Sequence, residues 1–269
     1  MFSYSYWEDI CIQLSKHRKC VLAQEILSQK EDDWVVIKHD VETNVSKALA
    51  IAKIEAKHGI KATYYVQSYL LDDNILLLKE MASLGHEVTY HYDVLDANNG
   101  DYELALKEYQ STIKKFENFG FLVKTVCPHG NPIMQRDGWD SNKDFFRNEE
   151  ISNNFPNILD VVVHLPKKIN FPYTYISDAG YGWKKIVNIE DNDIVNQGDI
   201  KITNLSQFLQ EEKSAIIIST HPHRWEKHFF ILLIHLFLFK FLRILARFIS
   251  KVPLLKKIMS RYYYLAKKI

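Results

Sequence analysis

The stretch DWVVIKHDVETNVSKALAIAKIEAKHG, residues 33–59, decides the fold. Its first part, DWVVIKHDVE (33–42), is a short β-branched apolar run closed by polar residues, the pattern of a strand. Its second part carries Val45, Ala48, Leu49 and Ala52 at i, i+3, i+4 and i+7, one face of a helix, with Gly59 at the C-terminal cap. The same unit recurs along the chain. KATYYVQ (61–67) precedes a Leu-rich helix over 72–84, HEVTYHY (86–92) precedes a helix over 102–118, and FLVKTVCPHG (121–130) reads as a fourth strand. ILDVVVHL (158–165), PYTYISD (172–178) and SAIIISTH (214–221) supply three more. Strands alternating with helices mean parallel strands joined by crossovers. The expectation is an α/β fold, a distorted or incomplete (β/α) barrel of about seven parallel strands. A doubly wound open sheet competes with it, but the first strand–helix turn lacks the glycine-rich loop that would cradle a phosphate.

The 269 residues are 47% hydrophobic and only 9 are Gly and 7 Pro, so the chain can bury a large core and is not disordered. Three cysteines, Cys11, Cys20 and Cys127, make no disulfide framework and point to a reducing or redox-indifferent setting. Cys11 and Cys20 are expected in an inert N-terminal helix. The opening MFSYSYWEDICIQL has no basic region followed by an apolar one, so no secretory signal is expected.

A net charge of +1 conceals an asymmetry: residues 229–269 hold nine Lys/Arg and no Asp/Glu, whereas 1–228 hold 25 basic and 33 acidic residues. An acidic body excludes nucleic acid as its main partner. Two segments follow, a barrel over 1–228 and an amphipathic basic helical tail over 229–269. Within FFILLIHLFLFKFLRILARFISKV (229–252), Lys240, Arg243, Arg247 and Lys251 share one helical face. A membrane-spanning placement would put Lys240 near mid-bilayer at a cost of roughly 3 kcal/mol. The expectation is therefore an interfacial helix on an anionic membrane surface, stopping near Pro253; packing on the barrel or on a partner chain is the alternative. The matching location is cytoplasmic, peripheral at the inner face of the membrane.

In a β/α barrel, chemistry gathers at the carboxyl ends of the strands. Here those ends carry His39-Asp40-Val41-Glu42, then His91 with Asp93 and Asp96 beyond it, then Cys127-Pro128-His129-Gly130-Asn131, then Ser177-Asp178, and finally Thr220-His221-Pro222-His223. Asp40 and Glu42 point the same way along a strand, and two buried carboxylates on one face require a proton or a cation. His91 and His129 could supply that cation's nitrogens. One carboxylate and two imidazoles with an open position form a catalytic zinc-like shell, and a second carboxylate beside it could act as a base. Cys127 could be a soft ligand but reads better as a small buried filler. His86 opens its strand, at the wrong end for the site, and reads as structural.

The stretches VIKHDVE (36–42), KATYYV (61–66), GHEVTYHYDVLD (85–96), CPHGNP (127–132), YISDAGYGW (175–183) and IISTHP (217–222) together resemble the polysaccharide deacetylases of the NodB-homology group, carbohydrate esterase family 4, in the branch found with cell-surface polysaccharide assembly. The resemblance spans about residues 34–225. It implies a distorted β/α barrel and a divalent metal, usually zinc, that together remove acetyl groups from N-acetylated sugars. It implies Asp40 as catalytic base and Glu42 as metal ligand, with the reverse assignment open and Asp40 counted with the metal set as well. It further implies His91 as first metal histidine, His221 as general acid, Asp178 orienting that acid, and Trp183 walling the sugar pocket. Tyr181, Asn131 and Asp93 are further substrate-side candidates. Three features depart from the family: Val41 separates the paired acids, Leu95 stands where the second metal histidine usually falls, and His-Gly-Asn-Pro replaces an Arg-x-Pro motif. Asp93, Asp96 or His129 must fill the vacant ligand role, or the metal is lost; His129, which also ends a neighbouring strand, fits it best. The alternatives to a deacetylase are a non-catalytic glycan-binding or assembly protein on the same barrel, and a metal-dependent hydrolase of another amide or ester.

Overall fold

The computed structural model describes residues 2–131, 134–189 and 198–249. Helix α1 (Tyr4–His17) and the short strand β1 (Lys19–Cys20) lead into β2 (Trp34–Val41), followed by α2 (Val45–Lys57), β3 (Thr63–Val66), α3 (Leu71–Ser83), β4 (Glu87–Tyr92), α4 (Val94–Ala97), α5 (Tyr102–Asn118) and β5 (Thr125–Pro128). Then come α6 (Asp144–Arg147), α7 (Glu149–Asn154), β6 (Leu159–Asp160), α8 (Leu165–Lys168), β7 (Tyr173–Ser177), β8 (Lys184–Ile186), β9 (Ile200–Lys201), α9 (Leu205–Glu211), β10 (Ala215–Thr220) and α10 (Phe229–Ile249).

The sheet order is β6-β5-β4-β3-β2-β10-β7-β8-β9, and the seven strands from β6 to β7 are all parallel. β8 and β9 extend the β7 edge antiparallel, and β1 pairs with the first residues of β2, on Trp34 and Val35. Among the described residues no ladder joins β6 to β9, so the barrel is incomplete there. Because the row is parallel, β2, β4, β5, β7 and β10 present their carboxyl ends on one side, where a site can assemble.

All eight residues of β2 are buried, which the parallel arrangement requires, since both faces of the sheet are covered. Alternate residues separate two apolar layers. Val35, Ile37 and Val41 pack with the helices, beside Trp7, Ala48, Ile51 and Ala52. Trp34 and Val36 face the interior, with Tyr65, Cys127, Tyr175 and Ile217. Helix α2 starts at Asn44, which takes the left-handed region at φ 31° and accepts the Lys47 N–H on its side chain. That cap relieves one of the unpaired donors of the first turn and turns the chain directly out of the site-bearing strand.

Two expectations need correction. The run 158–165 is not one strand, since only Leu159–Asp160 pairs. Asp160 Oδ1 accepts the N–H groups of Val162 and Val163, both at 2.8 Å, and this side-chain turn bends the apolar run out of the sheet. Cys20 lies in β1 rather than in α1, because the helix ends at His17 and Arg18 is extended, its guanidinium donating to the carbonyls of Glu212 and Ser214. The β8–β9 pair was not foreseen. The tail begins as α10, with the side chains of Arg243 and Arg247, and everything from Ser250 on, Lys251 and Pro253 included, outside the described residues. No helix among the described residues is long and apolar enough to cross a membrane.

Candidate active site

Strand β2 and the residue just past its end deliver three polar side chains to the interior at every second position. Lys38, Asp40 and Glu42 follow from the period of two, while His39 between them turns to the helices. His91, near the end of β4, pairs in register with Cys127 of β5. His129 stands just past β5, tied in place by its N–H donating to the Tyr92 carbonyl (2.7 Å) and by its own carbonyl accepting from Asn142 (2.9 Å). Tyr69 donates its hydroxyl to the backbone carbonyl of Glu42 and so anchors the strand exit.

The ligand-type atoms of Glu42, His91 and His129 all lie within 4.8 Å of one another, and those of Asp40, His91 and Cys127 form a second such trio sharing His91. Glu42 Oε1 is 3.2 Å from His129 Nδ1 and 4.0 Å from His91 Nε2. The His91 Nδ1 lies 3.0 Å from the Cys127 carbonyl, which can only accept, so Nδ1 carries the proton and Nε2 presents its lone pair to the centre. Burial pushes the His91 pKa down to about 3, which keeps the ring neutral. Burial alone would raise Glu42, but His129, His221 and His223 around it outweigh that and hold its carboxyl well below the usual range.

His91 Nε2 and both ring nitrogens of His129 are buried without a hydrogen-bond partner. Unpaired buried nitrogens are costly, and a cation at the centre would pair His91 Nε2 and one ring nitrogen of His129. One carboxylate and two imidazoles suit zinc or a similar divalent ion. In the second trio Cys127 packs at 1% exposure, its thiol pushed well up by burial and donating to the Pro128 carbonyl at 3.6 Å, as a small buried filler does. Asp96 is excluded as the missing ligand, because its carboxylate already accepts from Arg136 (2.8 Å, twice), Trp139 (2.9 Å) and Asn142 (3.0 Å). Leu95 is fully buried in the outer apolar layer. Asp93 is buried at the start of α4, and Asn131 is buried next to the histidine loop, its carbonyl accepting from Arg136.

On the opposite side of the centre, Asp178 lies fully buried just past β7 and accepts four donors: the Thr220 hydroxyl (2.8 Å), the His221 N–H (3.0 Å), His221 Nδ1 (2.6 Å) and the Arg224 guanidinium (2.6 Å). Burial raises its carboxyl, but Arg224 and His221 more than reverse this and keep it ionised. The proton on His221 Nδ1 is thereby committed to Asp178, and His221 Nε2 faces Asp40 at 3.9 Å and Glu42 at 3.8 Å. The structure thus brings Asp40, Glu42, His91, His129, His221 and Asp178 together, from five strands.

Two participants were missed in the sequence. Lys38 is buried to 2% exposure, with Nζ 2.7 Å from both oxygens of Asp40 and 3.2 Å from the Ser219 hydroxyl. Burial would strip its proton, but Asp40 outweighs burial and holds the ammonium charged; reciprocally, Lys38 is the main influence lowering Asp40 against its own burial. The signal existed, since Lys38 obeys the alternation that pairs Asp40 with Glu42. Arg224 lies three residues after His221 and was not foreseen either.

Trp183 does not wall an open pocket. It is 1% exposed, stacked at 6.1 Å on Phe2 and tilted against Trp225 at 6.3 Å, so its faces are spent on core packing. Tyr181, at φ 58°, is partly exposed and lies between Phe2 (5.5 Å) and Phe239 of α10 (4.9 Å).

No family model and no curated protein matches the sequence. The fold is similar to solved structures that belong to carbohydrate esterase family 4. One is the family 4 carbohydrate esterase from Streptomyces lividans in complex with acetate, at 13% identity and TM-score 0.42, over 70% of this chain and 78% of that one. Another is a family 4 esterase from Streptococcus mutans, at 12% identity and TM-score 0.45, over 78% and 82%. A third is a family 4 pseudoenzyme from Bacillus anthracis, at 17% identity and TM-score 0.40, over 70% of this chain and 54% of that one, so the chain spans about half its length. At these TM-scores the likeness is one of chain course, and the chemistry of the site follows from its own side chains.

Proposed function

We propose that this chain is a metal-dependent deacetylase that hydrolyses the N-acetyl group of a sugar in a cell-surface glycan or its precursor. The observation that carries the reading is the convergence of Glu42, His91 and His129, with a nitrogen of each ring lacking a hydrogen-bond partner, beside a second carboxylate and a carboxylate-supported histidine. The N-acetyl sugar as substrate is supported by the motif resemblance along residues 34–225.

Glu42, His91 and His129 would hold the divalent ion, which when bound supplies Lewis acidity, lowering the pKa of water towards about 7 and polarising the amide carbonyl. Asp40, kept ionised by Lys38, serves as the proton acceptor. His221 delivers a proton from Nε2 to the leaving amine, and Asp178 fixes the ring by holding Nδ1–H and stabilises the imidazolium form. Arg224 and Thr220 in turn fix Asp178, so this acid is oriented before substrate arrives.

The test is metal analysis of the purified full chain together with acetate release from N-acetylglucosamine oligomers. Stoichiometric zinc, and acetate release abolished by chelator and restored by zinc, are expected. A metal-free, acetate-silent protein after zinc addition overturns the reading. The buried Leu95, where the family has a ligand, favours one second reading, a non-catalytic glycan-binding barrel; stoichiometric zinc without acetate release would select it.

A further inference from the structure

Helix α10 is held to the body by one side only. Leu232 is buried, Leu236 packs against the core, and Phe239 meets Tyr181. At its root, Glu226 takes His235 Nδ1 at 2.7 Å and the Lys47 ammonium, and it pairs through its backbone with Phe2 and Tyr4. The opposite side is a continuous stripe: Phe230, Ile234, Phe237, Phe241 and Ile244, at i, i+4, i+7, i+11 and i+14, all exposed, Phe230 to 80% and Phe237 to 69%. Isolated exposed apolar residues need no explanation, but a stripe of large ones along a whole helix marks a surface that something covers.

We propose that this stripe seats the protein on an anionic lipid surface. The charge pattern selects that occupant. From Phe229 to the end of the chain there are nine Lys/Arg and no acid, and Lys240 flanks the stripe, exposed. A second copy would bring two such basic helices against each other, whereas anionic headgroups complement them. A spanning placement would put Lys240, near the middle of α10, in the bilayer core at a cost of roughly 3 kcal/mol, which favours a helix lying in the interface. The seat also has a definite place. Tyr181, against which α10 packs, is three residues past Asp178, and α10 starts eight residues past His221. The lipid surface would therefore lie at the strand-end side of the sheet, beside the acid–base groups.

Vesicle flotation of the full chain tests this without reference to metal or activity. Recovery with phosphatidylglycerol-rich vesicles is expected, with little on pure phosphatidylcholine. The double substitution Phe237→Ser with Phe241→Ser should cut that recovery by roughly tenfold while the circular dichroism and the melting of the body stay unchanged, since both side chains are exposed. If the full chain stays in the bottom fraction with anionic vesicles, the seat is disproved. If it sediments as a dimer that the same double substitution dissociates, the stripe belongs to a second copy and the proposal is equally overturned.

Discussion

The two faces of β2 carry the same kinds of residue to opposite ends. On the outer face His39 Nε2 lies 2.6 Å from Glu55 Oε1, and Glu55, fully buried in α2, also takes the Tyr64 hydroxyl (2.6 Å) and the Trp7 indole N–H (3.1 Å). His86 sits nearby, its Nδ1 accepting the Ala62 N–H and its Nε2 donating to the Ala52 carbonyl. This group ties α1, α2, β2 and β3 together, and only His39 Nδ1 within it lacks a partner. On the inner face, Glu42 stands with His91 Nε2 and a ring nitrogen of His129, both without a hydrogen-bond partner and near enough to share one ligand. Buried histidines and carboxylates therefore do not by themselves mark a site. A closed set of mutual hydrogen bonds is scaffold, and a converging set of unmet lone pairs is a place for a ligand.

The sharpest way to break this contrast is His91→Ala. It should abolish stoichiometric zinc and lower acetate release on the order of 10³-fold, while the urea midpoint of the metal-free protein barely moves. Retained zinc in that variant would mean that the inner face is scaffold too. Next in size, Glu55→Ala leaves His39, Tyr64 and Trp7 facing an empty acceptor position inside the core, and should cost about 3–5 kcal/mol of unfolding free energy, with zinc still bound by the folded fraction. Loss of zinc at unchanged stability would invert the comparison.

Acid should single out the same carboxylate. Burial pushes Glu55 up, but His39, His86 and Tyr64 hold it below its usual value. A carboxylate lowered on folding adds stability that is complete above its unfolded pKa of about 4.3 and disappears as pH falls through the folded value. The urea midpoint should thus decline on acidification below the ordinary carboxylate range, and less steeply in Glu55→Gln. Smallest of all, His39→Gln keeps a donor for Glu55 and should cost only about 1 kcal/mol, with zinc content unchanged in metal analysis.

The strand–helix alternation was legible because each unit is local. β2, β4, β7 and β10 fall within a residue or two of the expected spans, and α5 matches its span. The run 158–165 failed because a single side chain, Asp160, redirected an otherwise ideal apolar stretch. Asp40 and Glu42 were readable as a pair from strand periodicity. Lys38 was not, because lysine is almost never fully buried, and its position here makes sense only beside Asp40. Trp183 fails in the same way: a tryptophan after a strand can face a ligand or the core, and Phe2, some 180 residues away, decides which.

From the chain alone one can derive the parallel α/β architecture, the presence of acids and imidazoles at strand ends, and the basic apolar tail. These follow from periodicity and composition, which act between near neighbours. That Arg136, Trp139 and Asn142 consume Asp96, while His129 stands beside Glu42, was decided only in three dimensions. So too was the outward stripe of α10, since which side of a helix remains uncovered depends on what packs against the other. Hydrogen bonds and packing saturate, and which groups are left unsatisfied is known only once distant segments have met.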